Sequence, residues 1–401
     1  MEQSYFRKGF GLKDAIQGAL SGDYHSAVVD EIRARGYRVS VGDLTVRLAQ
    51  EFGFCYGVDR AVEYAYETRT KFPDRRIHLV GQIIHNPHVN AKLAAMGIEI
   101  LARPAEGEFD FGRVTAADVV LLPAFGVTRA DFDRLRALGA VLVDTTCGSV
   151  LNVWKRVESY ARDGFTAIIH GKYQHEETRA TASQVTKYAG GRYLVVRDMA
   201  ETRLVCEFIE RETGGDELRE RFRAAASPDF DPRRDLARVG IANQTTMLSS
   251  ESLAIAAELR RAMVSRHGVA ALAEHFRSFD TICSATQDRQ DAVLRLLQDS
   301  VDVMVVIGGY NSSNTSHLAE LCAEKRPTYH IEDPQGIDPV AGTIRHRVVG
   351  TTAEAVVRDW LGAGPRIVGV TAGASTPNNK VGETIERIFG TRGLSLAEAL
   401  A

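Results

Sequence analysis

Cys55, Cys147 and Cys283 are the residues of this chain best placed to do chemistry. Each stands alone between an apolar or strand-like run (VRLAQEFGFC, AVLVDTTC, FRSFDTIC) and a helical stretch with a basic residue in its early turns (CYGVDRAVEYAYETR, CGSVLNVWKRVESYARDG, CSATQDRQDAVLRLLQDS). A thiol at a helix N-terminus meets unpaired backbone N–H groups and the positive end of the dipole, which favours its thiolate. Three thiols in one local setting predict three copies of one unit, with the thiolates converging on a shared centre. A four-iron cluster usually takes four thiolates. Three would leave one iron open, as catalytic zinc sites keep a position for water or substrate. Zinc on three thiolates is the alternative, although ligands so far apart lack the paired CxxC spacing of structural zinc. Cys206 (LVCEFIE) and Cys322 (LAELCAEK) fall mid-helix among apolar neighbours and read as core thiols.

A second group of residues suits an anion. His85 (GQIIHNPHV), His175 (IIHGKYQHEET) and Ser312 (VIGGYNSSNTS) follow the three cysteines by 30, 28 and 29 residues. A later turn in each unit, PAFGVT, ANQTTM and GVTAGAST, is also polar and also follows an apolar strand. His85, His175, Thr245, Ser312, Ser313, Asn314 and Ser375 all sit at or just past strand ends, where helices begin. Hydroxyls, an amide, imidazoles and helix N-terminal amides together suit a phosphate or diphosphate. Taken singly, Ser, Thr and Asn are also the commonest helix N-caps. No Walker A or GxGxxG run is present, so the sequence gives no support to ATP or NAD binding. Glu177 could serve as a proton donor, since a carboxyl buried near a negative ligand has its pKa raised. Its neighbour Glu176 is the rival, and spacing alone does not separate the two.

The elements that position these residues are short apolar strands alternating with amphipathic helices, an α/β pattern with parallel strands. Ligand crevices in such sheets lie at the carboxyl ends of the strands, where nearly all of these turns fall. The expected organisation is an N-terminal extension over 1–44, α/β domains over 45–146, 147–282 and 283–390, and a C-terminal tail over 391–401. The second domain is lengthened by a charged stretch, ETGGDELRERFRAAASPDFDPRRD, read as a surface insertion without assigned function. With 401 residues, 44% hydrophobic and 25% charged, the chain is an ordinary globular protein. A net charge of −3 gives no reason to expect nucleic acid or an anionic membrane as a partner. No apolar run is long enough to span a bilayer, and MEQSYFRKGFGLKD has no signal-peptide core. The expectation is a cytoplasmic enzyme whose cysteines serve a metal or reactive role rather than disulfides.

The runs GFCYGVDRAV, IIHNPHV, VDTTC, HEET, NQTT, TICSAT with RQDAV, GYNSSNTS and VTAGAST occur in order from about Thr45 to Lys380. Together they resemble the 4-hydroxy-3-methylbut-2-enyl diphosphate reductase (LytB) family, which performs the last step of the methylerythritol phosphate route to isoprenoids. The N-terminal YFRKGFG resembles the branch found in oxygenic phototrophs. The resemblance implies three pseudo-symmetric α/β domains in a trefoil around a central iron–sulfur cluster. Cys55, Cys147 and Cys283 would hold three irons of a 4Fe–4S cluster, and the fourth iron would take the substrate's allylic hydroxyl.

By the same resemblance, His85, His175, Ser312, Asn314 and Ser375 would contact the diphosphate, with Ser313 in the same motif. Glu177 would protonate the leaving hydroxyl with Thr245 in its relay, and Thr286 matches a threonine near the reacting end. The products would be isopentenyl and dimethylallyl diphosphate. Electrons would come from a small carrier such as ferredoxin or flavodoxin. The chain departs from the family at Phe125, where many members carry a histidine, and its HEET replaces a more usual HPE-type run. Two other readings compete: a triple-domain iron–sulfur enzyme of the quinolinate synthase type, and a non-catalytic thiol or metal regulatory protein.

Overall fold

The structure is a computed structural model that describes residues 4–104, 108–279 and 281–397. The ends of the expected extension and tail, 1–3 and 398–401, lie outside the described residues. The chain folds as two compact units. The first comprises Met1–Lys8, Arg75–Gly81 and Glu99–Cys283; the second comprises Gly9–Asp74, Gln82–Ile98 and Ser284–Ala401.

Three sheets repeat one strand order. The strands running into Cys55, Cys147 and Cys283 are Leu44–Leu48, Val141–Asp144 and Phe276–Ser278. Each lies parallel to a strand that ends in one of the later polar turns: Arg366–Ala372, Val119–Leu122 and Val239–Asn243 respectively. Those strands lie parallel in turn to Val303–Ile307, Ile77–Val80 and Thr166–His170, which precede Ser312, His85 and His175. The order continues with Thr328–Ile331, Ile98–Leu101 and Tyr193–Val196. Several of these strands (VVLL, TAIIH, VGIAN, VMVVI) are buried at every residue. Continuous apolar runs of this kind are what a parallel sheet covered on both faces requires.

In the first unit, Tyr5–Phe6 adds a short parallel edge strand to Val141–Asp144, and the Tyr5 hydroxyl donates to Asp144 at 2.6 Å. One face of the second sheet packs on Val153, Val157 and Tyr160 from the helix Gly148–Arg162. The other packs on Val205, Phe208 and Ile209 from Met199–Arg211, and on Ile255 and Leu259 from Ser249–His275. The charged stretch read as a surface insertion is instead part of this core. Leu218, Phe222, Ala226 and Phe230 are buried in it, because its charges alternate with apolar residues that one face of a short helix can turn inward.

The second unit carries an eight-stranded mixed sheet. Helices Ala27–Ala34 and Asn378–Gly390 supply Val29, Ile32, Val381, Ile385 and Phe389 to one face, while Val293 and Leu318 cover the other. Residues 45–48, placed by the sequence at the start of a first domain, are hydrogen-bonded to Arg366–Ala372, with Val46 opposite Val368 and Leu48 opposite Val370. A repeat read in chain order does not show that its first strand closes the last sheet. Arg38–Val41, read as part of an extension, pairs antiparallel with Leu44–Leu48. The antiparallel strands Ile337–Asp338, Thr343–Arg347 and Glu354–Arg358 were also unanticipated, being short, polar and partly exposed. No described helix is long and apolar enough to cross a membrane.

Candidate functional site: thiols, an acid and an anion cradle

The three cysteines share one local construction. The N–H of Cys147 donates to the carbonyl of Ala124 at 3.0 Å, that of Cys283 to Thr245 at 3.3 Å, and that of Cys55 to Ala374 at 3.2 Å. Each acceptor belongs to a later polar turn, so the parallel strand pairing described above delivers every cysteine to the same place beside such a turn. Cys55 and Cys147 are helix N-caps with extended backbone. All three are partly exposed, whereas Cys206 and Cys322 are buried. Burial drives both of those thiols far above the ordinary range, as inert core residues require.

Within the first unit, the hydroxyl of Ser149 donates to the sulfur of Cys283 at 3.5 Å. Ser149 sits in the first turn of the helix that Cys147 caps. The Cys147 thiol is raised above its usual pKa, first by burial and then by the neighbouring Cys283 sulfur; the N–H groups of Ser149 and Val150 and the Ser149 hydroxyl pull it down. The helix N-terminus therefore does not by itself create a thiolate here, contrary to the expectation from sequence. A thiol whose ionisation is suppressed by burial, as that of Cys147 is, is stabilised as a thiolate by a bound metal cation. Soft, separate sulfur donors fit an iron–sulfur centre.

The acid is built in the same unit. Glu177 is buried while Glu176 is exposed. The backbone N–H of Thr245 donates to Glu177 Oε1 at 2.6 Å, and the Thr245 hydroxyl meets Oε2 at 2.9 Å. Burial pushes the carboxyl up to about 7, against the lowering effect of the two Thr245 bonds. Because the N–H must donate to Oε1, a protonated Glu177 carries its proton on Oε2 and gives it to the Thr245 oxygen. Gln244 fastens this arrangement: its Oε1 accepts from the Lys172 N–H at 3.1 Å and the Thr178 hydroxyl at 3.0 Å.

His175 caps the helix Glu176–Ser183, its Nδ1 accepting from the Glu177 N–H at 3.2 Å. With Nδ1 used as an acceptor, the neutral ring carries its proton on Nε2, a donor suited to an anion. Phe125 stands edge-on to this imidazole, ring centroids 5.8 Å apart at 79°. Phe125 thus packs against a candidate anion donor.

The second unit contains the remaining residues. His85, Thr286, Ser312, Ser313, Asn314 and Ser375 are all buried. Ala374 ties several together: its carbonyl accepts from Cys55, and its N–H donates to Asn314 Oδ1 at 2.9 Å. Asn314 Nδ2 is buried with no acceptor among the described residues, a donor left over for a ligand. Ser312 caps its helix by accepting from the Thr315 N–H at 3.3 Å, which leaves its hydroxyl proton free to donate. Ser375 donates to the His85 carbonyl at 3.1 Å, so here it holds the His85 turn. The His85 Nδ1 donates to Gln82 Oε1 at 3.1 Å. Gly309 is required where these turns meet, since a Cβ there would lie 2.5 Å from the His85 carbonyl oxygen.

Three contributors were not singled out from sequence. Ser149, Gln244 and Arg289 lie inside quoted motifs, but their side-chain types carried no distinguishing signal. Arg289, buried, donates to the carbonyls of Gly53 at 2.7 Å and Phe54 at 3.2 Å, the two residues before Cys55. A basic residue in the early turns of each cysteine helix was the available clue. The three serve different ends, for Arg60 lies over the Tyr64 ring instead.

Known proteins resemble this chain over most of its length. A family model described as LytB protein matches residues 46–389. The chain is 50% identical over 400 residues to the 4-hydroxy-3-methylbut-2-enyl diphosphate reductase of Gloeobacter violaceus, covering 98% of this chain and 94% of that one. It is 47% identical over 396 residues to the enzyme of the same name from Thermosynechococcus vestitus, covering 98% and 96%. Among solved structures, one described as (E)-4-hydroxy-3-methyl-but-2-enyl diphosphate reductase, the terminal enzyme of the non-mevalonate pathway, superposes with a TM-score of 0.51 at 27% identity, covering 86% of this chain and 98% of that one. The Plasmodium falciparum reductase shares the fold, with a TM-score of 0.63 at 19% identity, covering 86% and 87%. The chain therefore belongs to the LytB family, whose curated members matched here are 4-hydroxy-3-methylbut-2-enyl diphosphate reductases.

Proposed function

We propose that this chain, an oxidoreductase by its family, removes the allylic hydroxyl of 4-hydroxy-3-methylbut-2-enyl diphosphate to give isopentenyl and dimethylallyl diphosphate. Atoms and electrons balance as substrate plus two electrons and two protons giving product plus water. Cys55, Cys147 and Cys283 would hold a 4Fe–4S cluster, their three thiolates being one fewer than a fully ligated four-iron cluster takes. That cluster, when bound, supplies Lewis acidity toward the hydroxyl and passes electrons singly. Family membership replaces the quinolinate-synthase-type and regulatory readings.

The protein's own groups do the rest. The diphosphate donors in this reading are Ser312, Asn314 Nδ2, His85 and the Nε2–H of His175, and Ser375 holds the His85 turn. Ser313 opens the helix that Ser312 caps, and Thr286 contributes from the helix Ser284–Leu296. Glu177 releases its proton through Thr245 to the departing oxygen, and protonation at either end of the allylic system gives the two products.

The observation that carries this reading is the buried Glu177 with its pKa near neutrality, bonded through both oxygens to the residue whose carbonyl fixes Cys283. A general acid of this kind contributes roughly 10²–10⁴-fold. Glu177→Gln should bind the diphosphate with near-normal affinity and lose turnover by about that factor. Turnover within a few-fold of the unsubstituted chain would move the acid role elsewhere.

A further inference from the structure

We propose that a cavity on the first unit, beside the helix Gly148–Arg162, is where a small acidic one-electron carrier protein docks to reduce this chain. The inference rests on the reductive reading above, which requires two single-electron deliveries per turnover. No part of the chain offers a flavin or nicotinamide motif to store them. A cluster behind protein must then be reached from a surface, and the surface has to lie close to one of its ligands.

The cavity, about 540 Å³, meets that condition. Thr146 lines it and is peptide-bonded to Cys147; Leu151, Trp154 and Lys155 line it from the helix that Cys147 caps. Five cations surround it, Arg7, Arg129, Arg136, Lys155 and Lys187, against three carboxylates, Asp133, Asp144 and Glu158. This excess is local, since the whole chain carries −3. The carboxylates are also partly spent. Asp144 is buried and accepts from Tyr5 and Thr146, with Arg7 only 3.8 Å away; Glu158 is held by Lys187. Arg136 and Lys155 are exposed and have no carboxylate partner among the described residues. Free exposed cations around an aromatic wall steer and seat an acidic protein.

A second cavity, next to Cys55, makes the contrast. It is bordered by Lys13, Arg33 and Arg60, but these are engaged. Lys13 pairs with Glu63 at 3.3 Å, Arg33 with Asp30 at 3.6 Å, and Arg60 covers the Tyr64 ring. Proximity to a cysteine is common to both cavities; exposed cations without a carboxylate partner among the described residues belong to the first.

The test uses the full chain with its cluster reconstituted anaerobically. Turnover is measured with a pre-reduced acidic 2Fe–2S ferredoxin and, separately, with reduced methyl viologen, a small carrier that needs no docking surface. Arg136→Glu combined with Lys155→Glu should lower kcat/KM for the ferredoxin on the order of tenfold or more at low salt, an effect that shrinks as salt rises. Viologen-driven turnover should be unchanged. Wild-type ferredoxin kinetics in the double variant would overturn the docking assignment. So would an equal loss in both assays, or a selective loss in Lys13→Glu with Arg60→Glu instead. Absence of viologen-driven turnover in the unsubstituted chain would overturn the reductase reading itself, and the docking proposal with it.

Discussion

Glu177 and Glu176 are adjacent in sequence and opposite in environment. One is buried and bonded through both oxygens; the other is exposed. Spacing could not choose between them, because which side of a helix's first turn faces inward depends on the sheet beneath it. The raised carboxyl has consequences in pH. Its protonated form persists to about 7, so the acid step should weaken as pH rises through that value, with Glu177→Gln losing the dependence along with most activity. The sign for stability follows by linkage. The folded pKa lies above that of an unfolded glutamate, so the group favours folding below the ordinary carboxylate range, and that contribution is lost as pH rises through about 7. Glu177→Gln should therefore be more stable than the unsubstituted chain at pH 8, by an amount on the order of 1–3 kcal/mol. Urea melts at pH 5 and pH 8 check this, and equal differences at both would contradict it. Phe125 was legible only as a departure from the family pattern; its edge contact with His175 needed coordinates. Phe125→Ala should release that ring, worth about 0.5–1.5 kcal/mol, and raise KM several-fold with little change in kcat. A pure kcat effect in steady-state kinetics would instead place Phe125 near the chemical step.

At the scale of elements, the strand–cysteine–helix repeat was readable because parallel strands buried on both faces advertise themselves as continuous apolar runs. Residues such as VVLL, TAIIH and VMVVI leave few alternatives. What hid were elements whose stability comes from partners rather than pattern. Thr343–Arg347 and Glu354–Arg358 are held as a pair on a sheet edge, and Leu44–Leu48 finds its mate more than 300 residues away. Arg289 is hidden in the same way, since an arginine in a helical stretch reads as solvated until its carbonyl partners are seen. Replacing it with leucine strands the Gly53 and Phe54 carbonyls and should cost about 1–3 kcal/mol. It should also loosen the turn before Cys55, so that Arg289→Leu retains less iron per chain while Arg289→Lys recovers part of it. Full iron retention in Arg289→Leu, measured beside its melting temperature, would confine the residue to a stability role.

At the scale of the molecule, three sheets with one strand order bring each cysteine N–H to the carbonyl of a later polar turn. That recurrence, rather than any single thiol, is the physical basis for the proposal that the three sulfurs serve one centre. The two core cysteines provide an internal control, because burial in helices keeps them protonated and unreactive. The most direct test is iron and acid-labile sulfide quantified on anaerobically purified chains carrying single Cys→Ser substitutions at all five positions. Substitution at Cys55, Cys147 or Cys283 should each abolish stable retention of a cluster of about four irons, while Cys206→Ser and Cys322→Ser leave it intact. Full iron and sulfide content in any one of the first three variants would contradict the account.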